Sequence, residues 1–302
     1  MQELITKVSP IFIIFVVGYV LKRINFLVQD HADLFLKLVM YLALPALIVP
    51  SFAGIPLSAE LVVLPFVSVV TMFFTLIVAF IVATLLSLPK QTKGTFVLAS
   101  SIMNLGLALS FYQAAFGQEV IAYFLLLMLG HDIVLFTLLY YLACFYGSTD
   151  HVFSHHKAVK KLFLLPPLWA VAVGLLLNVT KTQIPYFILP SLNIVGSMFT
   201  PLLMLALGVV FSVPERLSLK LCFPLVIRSG CGILIGLLLS ELFSLEGVVR
   251  AAVVLGSAAP VGFNTLVFST IENLDKKLAA QIVSSALILG GFMLPLLLYF
   301  LS

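Results

Sequence analysis

Ala99-Ser-Ser-Ile-Met-Asn-Leu-Gly-Leu-Ala-Leu-Ser110 and Leu255-Gly-Ser-Ala-Ala-Pro-Val-Gly-Phe-Asn264 decide how this chain folds. Each places small residues, a glycine and one asparagine near the middle of a longer apolar run. Pro260 removes a backbone donor and clashes with the preceding turn, while Gly106 and Gly262 permit unusual backbone angles. A helix broken there frees N–H and C=O groups, which lipid tolerates only where protein or a wet cavity surrounds them. Half-helix N-termini then aim positive dipole ends at the midplane, which favours an anion. Asn104 and Asn264 can donate to a carboxylate without adding a charge to bury. For either stretch alone, small-residue helix packing with asparagine as interhelical glue is an equal alternative. The matched pair points to a site.

The rest of the chain sets these stretches in a membrane. Of 302 residues, 62% are hydrophobic and 9% charged, against about 45–50% and about 25% in ordinary globular domains. That excludes a soluble core, a disordered chain and a nucleic-acid-binding protein. The runs are too long and too continuously apolar for barrel strands, so the predicted class is an all-α integral membrane protein. Ten spans are predicted at 8–21, 34–53, 61–87, 95–115, 120–146, 162–179, 187–211, 219–242, 248–270 and 279–301. Pro56, Pro89, Gly117, Pro185 and Pro214 fall between runs, where helix breakers belong. The stretch before the first span, Met1 to Lys7, is short and mixed in charge, so that span is not expected to be a cleaved signal. Cys144, Cys222 and Cys231 lie within apolar segments and suggest no disulfide framework.

Alternating connections divide the basic residues unevenly. One side holds Lys22, Arg23, Lys37, Lys90, Lys93, Lys157, Lys160, Lys161, Arg216, Lys220, Lys276 and Lys277; the other holds Lys7, Lys181 and Arg250. The richer side is predicted to be cytoplasmic, with both termini outside. The longest polar connection, 147–161, separates a first half at 1–146 from a second at 162–302.

The halves repeat at an offset of 156 residues: Pro10/Pro166, Gly18/Gly174, Pro45/Pro201, Ser101/Ser257 and Gly106/Gly262. Five spans per repeat is an odd number, so the second half must lie inverted relative to the first. Inverted repeats are characteristic of secondary transporters, whose sites lie at the midplane between repeats, built from interrupted helices. Ser101 and Ser257 join the asparagines as candidate ligands. Pro45 and Pro201 are expected to bend the second and seventh helices near the site.

Ionisable residues inside spans are costly and suggest function. Arg228 can attract an anion or snorkel back to the cytoplasmic interface as an anchor. His131 and Asp132 are adjacent on one helix and are expected to point apart rather than form a joint site. Asp132 can carry a coupling proton, pair with Arg228, or serve packing alone. His151, His155 and His156, beside Asp150 and the basic cluster, read as a solvated loop more readily than as a metal site. No phosphate-binding loop, nucleophile turn, zinc spacing or cofactor motif is present, so no enzyme chemistry is expected. The coupling ion, proton or sodium, stays open.

The sequence resembles the auxin efflux carrier family over nearly its whole length. The resemblance rests on Gly18-Tyr-Val-Leu-Lys-Arg23, Tyr41-Leu-Ala-Leu-Pro-Ala46, Pro201-Leu-Leu-Met-Leu-Ala-Leu-Gly208 and Pro260-Val-Gly-Phe-Asn264. It implies a five-plus-five inverted fold shared with bile-acid and sodium symporters, with crossing broken fourth and ninth helices. It also implies a scaffold and a transport part moving by an elevator-like step, homodimers in the cell membrane, and crossover asparagines (Asn104 and Asn264 here) on a substrate carboxylate. Two departures stand out. No proline follows Asn104, and the third span has only Glu60 at its edge, so a proton-carrying carboxylate within it is absent. The function expected is transport of a small organic anion. A sodium-coupled symporter and a membrane sensor without turnover are the rivals.

Overall fold

The computed structural model describes residues 2–54, 62–117, 121–148, 154–211 and 218–301. Pro56, Glu60, Asp150, His151, Pro214, Arg216 and Ser302, and the first residues of the third and fifth predicted spans, lie outside these. The order of elements is α1 (Gln2–Arg23), α2 (Gln29–Leu38), α3 (Leu44–Ala53), α4 (Val63–Leu85), α5 (Lys90–Ser101), α6 (Leu105–Phe116), α7 (Ile121–Val134) and α8 (Tyr140–Gly147). These are followed by α9 (His155–Phe163), α10 (Pro166–Val179), α11 (Leu189–Ser197), α12 (Phe199–Val210), α13 (Leu219–Val226), α14 (Gly232–Leu242), α15 (Gly247–Ala258), α16 (Asn264–Ile271) and α17 (Lys276–Leu301). No strand occurs among the described residues beyond one antiparallel bridge between Met103 and Val261.

Among the described residues, six rods are long and apolar enough to cross a bilayer: Gln29–Ala53, Val63–Leu85, Tyr123–Gly147, Leu189–Val210, Leu219–Leu242 and Lys276–Leu301. Their outward faces are greasy. Leu85, Phe292 and Tyr299 are each 77% exposed, an arrangement water would penalise and lipid rewards.

Three of these rods contain a π-helical turn, at Val39–Ala43, Leu135–Leu139 and Ile227–Cys231. The first has a direct cause in the sequence. Pro45 offers no N–H, and its ring crowds the carbonyl of Tyr41 four residues earlier. The helix widens just upstream, and the Leu44 N–H donates to Val39 five residues back.

The closest packing falls into two groups. α1, α2, α3, α10, α11 and α12 pack on one another, and α4, α5, α7, α8, α13, α14, α15, α16 and α17 form the second set. Each set draws on both sequence halves, so neither half packs as a separate bundle.

Polar contacts between helix ends stay within one or the other of the two alternating sets of connections. Lys22 donates to Phe211, Lys90 to Ser148 and Lys161 to Glu272, and Lys276 pairs with Asp33. All eight residues belong to the basic-rich connections and their flanks. At the connections of the basic-poor set, Arg250 pairs with Glu241, and Asn178 donates to the carbonyls of Phe52 and Ala53.

Candidate functional site

The chain leaves helical geometry at 102–104, between α5 and α6, and at 259–263, between α15 and α16. The two breaks satisfy each other. The Asn104 N–H donates to the Pro260 carbonyl at 2.8 Å, and the Gly262 N–H donates to the Ile102 carbonyl at 2.8 Å. This accounting explains how α5 and α6 separate without a proline of their own: the partner break supplies the hydrogen bonds that the helix gives up.

The glycines act differently from expectation. Neither Gly106 nor Gly262 has a positive φ. Gly262 is needed for close approach, because a Cβ there would stand 2.6 Å from both the Met103 carbonyl oxygen and Ile102 Cγ2. Around Gly106 a Cβ would meet nothing within 4 Å. It opens onto a cavity.

That cavity, of about 270 Å³, lies where the two packing groups meet. Asn104, Gly106, His131, Asp132 and Asn264 line it together with Leu44, Leu47, Ser51 and Phe52 of α3, Met128 of α7, and Phe199 and Thr200 of α12. The first residues of α6 and α16 are in its wall, so two helix N-termini converge there and favour negative charge. Asn104 caps α6: its Oδ1 accepts the Leu107 N–H at 3.2 Å. Its Nδ2, the Oδ1 of Asn264 and the Nε2 of His131 are buried without a hydrogen-bond partner among the described residues. Unpartnered buried polar atoms are expensive in a protein interior. Three around one cavity fit a polar ligand.

His131 and Asp132 do meet, contrary to the expectation that they point apart. His131 Nδ1 lies 2.7 Å from Asp132 Oδ1, and both side chains are buried. Neighbours on a helix diverge at Cβ, but a carboxylate is short and an imidazole can swing back along the axis, so the pair closes beside the cavity.

Arg228 takes neither of its expected positions. It is fully buried, lines no part of the cavity and does not pair with Asp132. Its Nε donates to the Ala259 carbonyl at 3.1 Å, its Nη2 donates to the Ser257 carbonyl, and Nη1 makes a long 3.5 Å contact with Thr75 Oγ1. The guanidinium thus sits on carbonyls at the C-terminal end of α15, the negative end of that half-helix dipole.

Ser101, Ser257, Pro260 and Gly262 are also absent from the lining. Ser101 Oγ donates to Val97 at 2.9 Å, and Ser257 Oγ meets Thr71 Oγ1 at 3.3 Å. Pro45 and Pro201 stand in the first turns of α3 and α12, beside the lining residues Leu44 and Thr200. Ser51, Phe52, Phe199 and Thr200 carried no signal in the sequence beyond their closeness to those prolines. In the long connection, His155 stacks on Tyr141 at 6.2 Å and Nδ1 meets the tyrosine hydroxyl.

Comparison with known proteins gives this geometry a context. Residues 3–299 match the model of a family described as membrane transport protein. The chain belongs to this family. It is therefore a membrane transporter of the auxin efflux carrier family rather than an enzyme, and a multi-pass membrane protein. An uncharacterized transporter of Methanocaldococcus jannaschii is 28% identical over 90% of both chains. Another, from Methanothermobacter thermautotrophicus, is 24% identical over 96% of this chain and 95% of its own. In this transporter the second break, at 259–263, and the lining residues Leu44, Phe263 and Asn264 fall in or beside stretches that resemble the carriers, whereas the first break at 102–104 does not.

Proposed function

We propose that this transporter is a secondary carrier for a small organic anion, a carboxylate, working by alternating access across the cell membrane. The observation that carries the reading is the hydrogen-bonded crossing of two broken helices beside a cavity into which two helix N-termini and two asparagines with unused polar atoms face. Asn104 and Asn264 hold the carboxylate. Arg228, Pro260 and Gly262 hold the crossing that positions them, and Gly106 leaves the room.

The ten predicted spans form a five-plus-five inverted repeat, with α5–α6 as the fourth and α15–α16 as the ninth. The antiparallel sense of the bridge between Met103 and Val261 supports that inversion, since equivalent segments of inverted halves run opposite ways. The helix-end contacts that sort into two sides support a cytoplasmic basic side and outward termini. The two packing groups support a scaffold (α1–α3 and α10–α12) against which the remainder slides, elevator fashion, carrying most of the cavity wall. The carrier forms a homodimer, as the resemblance implies.

Flux into liposomes of purified protein tests the reading, with keto acids, dicarboxylates and aromatic acids as substrates. Uptake of one class that Asn104→Ala and Asn264→Ala both impair supports it. Unchanged flux in both variants removes the site. Binding without flux indicates a sensor, and a strict sodium requirement indicates a symporter of the bile-acid type.

A further inference from the structure

Among the described residues, His131 and Asp132 are the titratable side chains in the cavity wall. An ionised carboxylate only accepts, so Asp132 keeps the proton of a neutral His131 on Nδ1, across 2.7 Å. Nε2 is then a bare acceptor, and nothing among the described residues donates to it. A second proton turns it into a charged donor beside the asparagines. We propose that His131 and Asp132 are the proton-coupling site of the carrier. One proton enters Nε2 with each monocarboxylate anion, and the imidazolium Nε2–H then donates to that carboxylate. The proposal rests on the anion-carrier reading and adds the coupling ion to it.

The surroundings give this pair no competitor. Of the elements packed on α7, the described lengths of α3, α4 and α10 and the turn Leu135–Leu139 hold no titratable side chain. α6 offers Tyr112, whose hydroxyl donates to Val248 at 2.9 Å, and α15 offers Arg250, paired with Glu241. α7 itself adds Tyr123. Without a proton, an anion would sit beside the Asp132 charge in a largely apolar cavity, which low dielectric makes costly. With it, the loaded site (imidazolium, carboxylate, anion) carries the same single negative charge as the empty one (imidazole, carboxylate). The cycle is then electroneutral for a monoanion.

The test uses the full chain in liposomes with a trapped pH dye. Pyruvate, 2-oxoisovalerate and 4-hydroxyphenylpyruvate serve as probes, acids too strong to cross lipid uncharged. The expected result is one proton taken up per anion, driven by an acidic exterior and indifferent to a potassium diffusion potential. His131→Gln is expected to lose the proton movement and about tenfold or more of the flux, the scale of one charge-assisted hydrogen bond. Asp132→Asn is expected to lose proton movement and flux as well, because the imidazolium then has no carboxylate partner in the buried pair. Anion flux without protons, or flux driven by the potential, overturns the coupling site and leaves the carrier reading standing. No movement of these probes overturns the coupling of a monocarboxylate; if the dicarboxylates and aromatic acids do not move either, the carrier reading falls with it. The wild-type stoichiometry decides the matter even if a variant does not fold.

Discussion

The Asn104 N–H donates to the Pro260 carbonyl at 2.8 Å, joining two residues separated by the same 156 positions that relate the sequence halves. In the proposed inverted repeat these two residues are equivalent points. The hydrogen bond also sets the asparagine that caps α6 against the rim of the cavity.

Glycine at 262 is required by that contact. Gly262→Ala places a methyl group 2.6 Å from the Met103 carbonyl and is expected to destabilise the protein by about 1–3 kcal/mol, as overpacking does. Gly106→Ala meets nothing within 4 Å, so it is expected to melt like wild type while losing flux by filling the cavity. Thermal melts in detergent beside liposome flux check both. Equal melting of the two variants contradicts the close-approach role.

Asn104 caps α6 and is proposed to bind the substrate, and substitutions separate the two roles. Asn104→Asp keeps an acceptor for the Leu107 N–H and is expected to hold stability while cutting anion flux at least about tenfold by charge repulsion. Asn104→Ala is expected to cost about 1 kcal/mol of stability as well. Denaturation and uptake measured on the same preparations distinguish cap from ligand.

Arg228 is predicted to be a positioning residue. Replacing it with Met strips the Ser257 and Ala259 carbonyls of their charged donors, for an expected loss of about 2–4 kcal/mol. Arg228→Lys is expected to recover part of that loss. If Arg228→Met melts normally but shows a raised KM alone, the residue contacts substrate instead.

Stability should respond to alkaline pH through Lys161. Burial alone would lower this ammonium, but the hydrogen bond and charge of Glu272 outweigh it and hold Lys161 above its ordinary value of 10.5. A raised folded value means the pair's stabilisation is complete below about 10.5 and is lost as pH rises through the folded value. Lys161→Met is therefore expected to lower stability by about 1 kcal/mol at pH 8, with the gap from wild type closing above pH 10.5. Melting curves across that range provide the check.

Sidedness can be tested at exposed positions. A cysteine at Gln183, beside Lys181, is expected to react with an impermeant maleimide outside intact cells, whereas one at Lys277 is expected to react only after lysis. The reverse pattern would turn the carrier over.

Composition was enough to put this chain in a membrane, because so many apolar residues with so few charges can be buried only in lipid. The places where its helices break were likewise readable, since proline and small residues act on their own backbone. Asn104 and Asn264 were recognisable for the same local reason: a neutral donor at mid-span is unusual wherever it folds. Which neighbours those residues acquire is a different kind of fact. The contact of His131 with Asp132, the seat of Arg228 on the Ser257 and Ala259 carbonyls, and the entry of Ser51 and Thr200 into the cavity wall depend on side-chain rotamers and on helices distant in sequence. The packing of helices from both halves into each of two groups depends on the same long-range contacts. Local periodicity carries no record of those meetings, so they had to come from the packed chain.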